Sequence, residues 1–193
     1  MVDEEQSPFN WRTPLDWTKL SGGHLVQIYD NDGYFAQSVG SFLSVAFKQN
    51  EAAILICTPE HREMLEHWLK ADGVDPVEAQ RSGRYIPLDA RETLKQFMMD
   101  GMPDKARFFE VLGGVVSRAE TSWNKVRAFG EMVALLCEDG NLEGAIALEE
   151  LWNQLAKLYL FTLLCAYRKS AFSPETAAHA FSRVCMAHCT VIL

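Results

Sequence analysis

The sequence predicts an α/β fold: a single three-layer domain in which a mostly parallel sheet of about five strands is covered by helices on both faces. Apolar runs of strand length alternate with segments whose apolar residues fall at helical spacing, which is typical of parallel sheets. The run AAILIC at 52–57 is apolar throughout, as expected of a strand that is buried on both faces. The chain of 193 residues is long enough to bury one sizeable core.

Residues 1–20 are predicted to form an irregular arm ahead of a domain at 21–193. Prolines interrupt regular structure in this arm, and Phe9, Trp11 and Trp17 are expected to pin it to the domain. The alternative is that the arm covers a pocket or a partner surface. At the other end, the apolar residues 191–193 indicate a domain that is cut from a longer signalling protein, and a short final strand is the alternative.

Strands and helices are expected to alternate along the chain. Each longer helical segment has apolar residues at helical spacing, such as Phe35, Val39 and Phe42 in the first. The predicted strands are 24–29, 52–57, 84–88 (weakened by Pro87), 126–129 and 159–167. Three predicted helices begin after residues 31, 58 and 89, and four more are expected at 77–82, 105–120, 142–157 and 173–188. Residues 132–138 are predicted to form either a short helix or a broken strand.

Polar residues mark where several helices begin. Asn31 or Asp32 can cap the first helix, because a short polar side chain accepts a hydrogen bond from a free backbone N–H of the first turn. Thr58 precedes Pro59, a residue favoured at the first helical position. Asp89 begins a D-A-R-E capping box. These signals fix the predicted helix starts.

The turn after the first strand is acidic. A nucleotide-binding protein would carry a glycine-rich phosphate cradle and a lysine between its first strand and helix. Here the turn reads Asp30-Asn31-Asp32-Gly33, with one glycine and no lysine. We therefore expect a nucleotide-type scaffold that does not hold phosphate.

Composition excludes several classes of partner. A net charge of -8 and no Lys/Arg cluster argue against nucleic-acid binding. No apolar run has the length of a membrane span, and the acidic N-terminus lacks a signal-peptide pattern. Four of the five cysteines lie in apolar runs, Cys57, Cys137, Cys165 and Cys185, as expected of reduced thiols. We expect a cytoplasmic protein that binds neither nucleic acid nor membrane.

The ends of the predicted strands carry polar and aromatic residues, where parallel sheets bind ligands. They are Tyr29, Asp30, Asn31, Thr58, Asp89, Glu131 and Tyr167. One interpretation is a crevice for a small organic or cationic ligand. The other is that these residues only cap helices and form turns. His24 lies five residues before Tyr29, which places the two on opposite faces of a strand, so they are not expected to share a site.

Evidence for catalysis or metal binding is weaker. Cys185, His188 and Cys189 fall on one face if residues 173–188 continue as a helix, and could bind zinc or a haem iron, but no fourth ligand is nearby in sequence. No G-x-S-x-G nucleophile motif is present. Glu131 follows a strand, where ATPases activate water, but no Walker lysine accompanies it. We expect no enzymatic activity and no cofactor.

Five blocks of sequence, in order from residue 24 to 193, resemble one family. They are HLVQIYDND, RYIPLDARETLKQFM, VRAFGEMVALL, LEELWNQLAKLYLFTLLCAY and VCMAHCTVI. Together they resemble the MEDS domain, the sensory domain of methanogens, methylotrophs and the dichloromethane-responsive repressor DcmR. The resemblance implies a RecA/KaiC-like fold without a working P-loop, placed ahead of histidine-kinase, PAS or helix-turn-helix modules, that senses small organic molecules.

The resemblance also implies which positions matter. The family's motif positions fall on His24, Tyr29, Asp30, Glu131, Trp152, Cys165, Tyr167 and His188. The chain departs from the family where Arg168 replaces an expected proline and where Cys189-Thr190 replaces a Ser-His pair. The predicted ligand site consists of His24, Tyr29, Asp30, Asn31, Glu131, Trp152 and Tyr167.

The predicted function is that of an input domain of a bacterial signalling protein. A small organic ligand at the strand ends would shift the C-terminal helix, expected at 173–193, and so bias an output module such as a histidine kinase. One alternative is an interaction or dimerisation module with a vestigial pocket, which docks through the Trp11 and Trp17 arm or the last helix. Two others are a degenerate nucleotide hydrolase that uses Glu131 and a metal or haem sensor.

Overall fold

The structure is a computed structural model that describes residues 16–20, 22–123, 125–171, 188 and 190–192. Its strands are β1 (Gly23–Tyr29), β2 (Ala52–Cys57), β3 (Tyr85–Asp89), β4 (Met98–Met99), β5 (Met102–Pro103), β6 (Val126–Gly130), β7 (Phe161–Arg168) and β8 (Thr190–Ile192). The α-helices are α1 (Asp32–Lys48), α2 (Pro59–Ala71), α3 (Pro76–Arg81), α4 (Ala90–Phe97), α5 (Lys105–Phe108), α6 (Gly114–Trp123), α7 (Met132–Glu138) and α8 (Leu142–Leu155). A π-helical turn, Phe109–Gly113, joins α5 to α6.

Six strands form one parallel sheet in the order β3-β2-β6-β7-β1-β8. The predicted fold class is confirmed, with one strand more than expected. The additional strand, β8, pairs with β1 through Val26 and Val191 and their two flanking pairs. That the domain is cut from a longer protein stays a prediction. β4 and β5 form a separate antiparallel hairpin, in which Asp100 and Gly101 both have the positive φ that a tight turn requires.

Side chains alternate between two cores on either side of the sheet. Val26 and Ile28 of β1 face a core shared with α4, α6, α7 and α8, which we call the α8 face. Leu25 and Tyr29 face a core shared with α1, α2 and α3, which we call the α1 face. The four inner strands of the sheet, β1, β2, β6 and β7, are almost wholly buried because both faces are covered, as the continuous apolar run of β2 predicts.

Three helices, α1, α2 and α4, begin at the predicted caps. Asn31 accepts a hydrogen bond from the Tyr34 N–H at 2.8 Å, and Thr58 caps α2 by accepting from the His61 N–H. Asp89 accepts from the Glu92 N–H, but the Glu92 carboxylate accepts from Lys95 and not from the backbone of Asp89. The capping box is therefore only half formed.

Some predicted boundaries were wrong. β7 begins at Phe161 and not at 159, because the Tyr159 N–H still bonds to the carbonyl of Leu155 at the end of α8. β3 tolerates Pro87 because it is the edge strand of the sheet. Residues 132–138 form a helix.

The predicted arm and last helix fall mostly outside the described residues. Trp17, in a short 3-10 helix (Trp17–Lys19), is buried against Phe42 at 5.2 Å between ring centroids, as expected of an anchor. Phe9 and Trp11 lie outside the described part of the chain, as does 173–187. Thr190–Ile192 is a strand, so the expected helix does not extend to 193.

Candidate functional site

The start of α1 occupies the position where a nucleotide-binding protein of this topology would hold phosphate. Asn31 uses its side-chain oxygen to cap the helix, and Asp32 places a carboxylate in the first turn. Asp32 also forms an ion pair with Arg168, the last residue of β7. A helix N-terminus binds anions through free N–H groups and its positive dipole end. Here the chain's own polar groups occupy that end, so it is poorly suited to phosphate.

Glu131 lies directly after β6 and is held by two neighbours. Its carboxylate accepts a hydrogen bond from the Thr58 N–H at 2.9 Å and lies 2.5 Å from Nδ1 of His61. Burial works to lower the pKa of His61, but the hydrogen bond to Glu131 and the charge of that carboxylate together raise it above its ordinary value. The pair is therefore a partly buried imidazole–carboxylate contact between α2 and β6.

Tyr29 lies between an aromatic ring and a cation. Its ring centroid is 4.8 Å from that of Phe35 and 5.3 Å from the guanidinium carbon of Arg168. Burial and the charge of Glu131 raise the pKa of Tyr29 to about 12, so its hydroxyl stays protonated. The ring of Phe35 also contacts His61 at 4.5 Å. These groups form a continuous network of contacts at the carboxyl edge of the sheet on the α1 face, with Tyr29, Phe35 and Glu131 buried and Asp32 and Arg168 open to solvent. We call this network the edge surface: Tyr29, Asp32, Phe35, His61, Glu131 and Arg168.

A second group of polar side chains lies inside the α8 face. It comprises His24 of β1, Glu149 of α8, Cys165 of β7 and His188, all of them buried. Nε2 of His24 lies 3.3 Å from the sulfur of Cys165 and 3.1 Å from Oε2 of Glu149. Nε2 of His188 lies 3.4 Å from Oε1 of Glu149. We call these four residues the buried cluster.

Two further residues orient the buried cluster. Nδ1 of His24 lies 3.0 Å from the side-chain oxygen of Asn153, one turn beyond Glu149 on α8. The Tyr167 hydroxyl donates a hydrogen bond to Oε1 of Glu149. The first contact fixes the orientation of the His24 ring, and the second fixes the carboxylate of Glu149.

The electrostatics of the buried cluster centre on Glu149. Burial works to raise the pKa of Glu149, but the hydrogen bond to His24 and the charge of His188 outweigh it and lower that pKa. Burial and the carboxylate of Glu149 hold the pKa of the Cys165 thiol well above its ordinary value. Glu149 is therefore a buried anion that requires positive charge beside it.

The structure divides the predicted ligand site into two groups. Tyr29, Asp30, Asn31 and Glu131 lie at or beside the edge surface. The other predicted residues, His24, Trp152 and Tyr167, lie in the interior of the α8 face. A single crevice lined by Tyr29, Glu131 and Tyr167 is therefore not formed, because Tyr167 pairs with Ile28 in the sheet and points to the face opposite Tyr29.

Trp152 is a packing residue in this arrangement. Its ring meets Phe108 edge-on at 5.3 Å and lies 6.1 Å from Phe161. Of the weak metal candidates, Cys185 and Cys189 lie outside the described residues, whereas His188 lies in the buried cluster. Among the described residues, its neighbours there are His24, Glu149 and Cys165.

Sequence reasoning missed Glu149, His61 and Asn153 as candidate site residues. For Glu149 a signal was present, because it is a charged residue on the otherwise apolar face of a predicted helix. For His61, the position two residues after Pro59 gave no such signal.

Comparison with known proteins identifies the family. The profile of the MEDS domain, described as the methanogen/methylotroph, DcmR sensory domain, matches residues 23–183. The chain belongs to the MEDS family. Since this is a family of sensory domains, the expected sensory role is supported at that level.

The solved structures confirm the fold of this MEDS domain. It is similar to a KaiC-like protein from the hyperthermophilic archaeon Pyrococcus horikoshii OT3, with a TM-score of 0.53 and 14% identity. The similarity covers 82% of this chain and 69% of that one. The predicted KaiC-like α/β architecture is thereby confirmed. No curated protein matched the sequence, and no helix within the described ranges is long and apolar enough to cross a membrane.

Proposed function

We propose that this MEDS domain is a non-catalytic, ligand-sensing input domain of a bacterial histidine kinase or transcriptional regulator, and that it binds a small organic molecule at the edge surface. The observation that carries the proposal is the Asp32–Arg168 ion pair, which lies over Tyr29 at the helix end where phosphate would otherwise bind. The chain's own charged groups occupy the end of α1, and the ring of Tyr29 lies directly beneath the Arg168 guanidinium. Such a site suits an uncharged or weakly polar organic ligand that replaces the guanidinium on the ring.

The composition of the edge surface supports this ligand class. Tyr29 supplies an aromatic ring that the Arg168 guanidinium covers and that the buried Phe35 supports, and the pair of His61 and Glu131 supplies one hydrogen-bonding group. Arg168 is about one-third exposed and Asp32 about half exposed, so their ion pair contributes little to stability and opens at small cost. A ligand that packs on Tyr29 would displace the guanidinium.

The position of Arg168 supplies a route for the signal. Arg168 ends β7 and directly precedes the 3-10 turn Lys169–Ala171, from which the chain continues to β8. β8 pairs with β1, the strand that ends in Tyr29, over only three residue pairs. Movement of Arg168 would therefore act on the C-terminal segment that contains β8. A ligand shifts this equilibrium only as far as it binds the two arrangements with different affinity.

Ligand binding is tested by calorimetry and native mass spectrometry of the purified chain against a panel of small organic compounds, with MgATP included. Arg168→Gln is compared with Arg91→Gln, because Arg91 forms a similarly exposed ion pair with Asp139 on the other face. We expect wild type and Arg91→Gln to bind the same compound, and Arg168→Gln to bind it with altered affinity. Absence of any ligand, or equal affinity in all three proteins, would contradict the proposal.

The non-catalytic part of the proposal has its own test. Purified chain is incubated with MgATP and phosphate release is measured, with Glu131→Gln as the comparison. We expect no turnover by either protein. ATP turnover that disappears in Glu131→Gln would establish the alternative hypothesis, a degenerate nucleotide hydrolase.

A further inference from the structure

We propose that His24, Glu149, Cys165 and His188 together bind one zinc ion, a structural site that ties the C-terminal segment to the sheet. This inference is independent of ligand binding at the edge surface, because the buried cluster lies on the opposite face of the sheet. The four residues offer two imidazole nitrogens, one sulfur and one carboxylate oxygen, all within 4.8 Å of one another.

The spacing of the donor atoms fits a tetrahedral ion. Zinc bonds of about 2.0–2.3 Å place neighbouring ligand atoms of a tetrahedron about 3.3–3.8 Å apart. Nε2 of His24 lies 3.3 Å from the sulfur of Cys165 and 3.1 Å from Oε2 of Glu149. Nε2 of His188 is 3.4 Å from Oε1 of Glu149. Small side-chain adjustments bring these atoms to coordination distance.

The surrounding hydrogen bonds orient the ligands as zinc sites require. The side-chain oxygen of Asn153 accepts from Nδ1 of His24, which leaves Nε2 of that ring as the atom facing Glu149 and Cys165. The Tyr167 hydroxyl holds the carboxylate. Metal-bound histidines and carboxylates are commonly fixed by a partner of this kind, and its loss weakens metal binding about 10–100-fold.

Charge balance also favours a divalent ion. Zinc deprotonates a coordinating thiol, so Zn²⁺ with the Cys165 thiolate, the Glu149 carboxylate and two neutral imidazoles has no net charge. A neutral assembly is far cheaper to bury than an isolated carboxylate. Histidine nitrogen, cysteine sulfur and carboxylate oxygen are all zinc ligands, and four buried protein ligands leave no open position, as in a closed structural site. Mg²⁺ and Ca²⁺ sites are instead built from oxygen ligands.

The site joins parts of the chain that are far apart in sequence. His24 is at the start of β1, Cys165 lies within β7, Glu149 is on α8, and His188 comes two residues before β8. An ion held by all four would fasten the short β8 to the sheet. Because the ligands are buried, loading is expected to accompany folding.

The test is to refold the chain from denaturant with Zn²⁺, with Co²⁺ or with a chelator, remove unbound metal and measure bound metal per chain. We expect one zinc per chain, a higher unfolding temperature than in the chelator-treated protein, and a Co²⁺ spectrum with a thiolate charge-transfer band and tetrahedral d–d bands. These wild-type measurements do not depend on any variant folding. Absence of bound metal, or a Co²⁺ spectrum without the thiolate band, overturns the proposal and leaves the cluster a buried ion-pair network.

Cysteine variants test which residue supplies the thiolate that binds the metal. Cys165→Ser is expected to abolish the charge-transfer band and weaken Co²⁺ binding at least about tenfold. Cys57→Ser is the matched control, because Cys57 is an equally buried strand cysteine on the α1 face. The double variant Cys185→Ser/Cys189→Ser separates the two possible sources of sulfur. Retention of the band supports Cys165 as the ligand, and loss of the band assigns the thiolate to the other pair and overturns the site proposed here.

Discussion

At the scale of single residues, the contact between His61 and Glu131 makes stability depend on pH. The Glu131 carboxylate and the more distant Asp32 raise the pKa of His61 against the effects of burial and of Arg168, so the folded chain holds this proton more tightly than the unfolded chain. The resulting stabilisation is fully present below the ordinary histidine pKa of about 6.5 and is lost as pH rises through the folded-state value.

A comparison of wild type with His61→Gln checks this. We expect the difference in the free energy of unfolding to reach about 1–2 kcal/mol at acidic pH and to shrink as pH rises. Chemical denaturation at several pH values measures it, with His67→Gln as the control, since His67 is an exposed histidine on the same helix. A difference that stays constant over the whole range would show that the proton on His61 is not the source.

The ion pair of Arg127 and Glu51 is another residue-scale feature, and it is buried. The Arg127 guanidinium lies 2.6 Å from the Glu51 carboxylate, donates to the carbonyl of Leu20 at 2.9 Å and lies over the ring of Phe42. Removal of one member leaves the other charge uncompensated in the core.

Arg127→Met is therefore expected to cost about 3–5 kcal/mol in the free energy of unfolding. Adding Glu51→Gln should recover part of this loss, because it removes the stranded carboxylate. Lys48→Met breaks the exposed pair with Asp72 and should cost less than about 1 kcal/mol. Urea denaturation measures all three, and equal losses for the buried and exposed pairs would contradict the expectation.

At the scale of elements, α1 and α2 approach closely at a glycine. A Cβ atom on Gly40 of α1 would lie 2.2 Å from the ring of Trp68 on α2, well inside van der Waals contact. The absence of a side chain at position 40 is what lets the indole lie against the backbone of α1.

Gly40→Ala tests this packing. In an open helix the change would add up to about 1 kcal/mol of stability, but here overpacking should remove about 1–3 kcal/mol. Gly33→Ala in the same helix is the control, because the added Cβ meets only the Asn31 side chain at an ordinary 3.4 Å. The double variant Gly40→Ala/Trp68→Leu should recover much of the loss, and a stabilised Gly40→Ala chain would refute the steric argument.

At the scale of the whole molecule, the sheet separates two polar centres. The edge surface lies on the α1 face and the buried cluster on the α8 face, and β1 contributes to both through Tyr29 and His24. β1 also pairs with β8. The strand is therefore the element through which events on either face would reach the C-terminal segment.

The polar groups at the start of α1 predict how the molecule responds to nucleotide. A ligand at 100 times its dissociation constant stabilises the folded state by about 2.7 kcal/mol. Because Asn31 and Asp32 occupy the end of α1, millimolar MgATP should leave the unfolding temperature unchanged. Thermal unfolding with and without MgATP measures this, with magnesium chloride alone as the control. A clear upward shift would contradict a site closed to phosphate.

Local patterns were sufficient for most of the architecture. Apolar runs of strand length, alternating with apolar residues at helical spacing, predicted the main strands. Asn31, Thr58 and Asp89 each cap the helix that the sequence assigned to them. The errors were in the exact ends of elements. At Tyr159, for example, a last helical hydrogen bond to Leu155 delays the start of β7.

The sequence by itself determined the fold class, the acidic turn in place of a phosphate cradle and, through ordered blocks of residues, the family. Only the tertiary structure decided that Tyr29 and Tyr167 face opposite cores and that His24, Glu149, Cys165 and His188 meet. The reason is physical: periodicity and capping are set by neighbours along the chain, whereas strand order is set by packing between residues that are tens to more than a hundred positions apart. Sequence spacing shows which side chains share a strand or helix face, and only the order of the strands shows which of them touch.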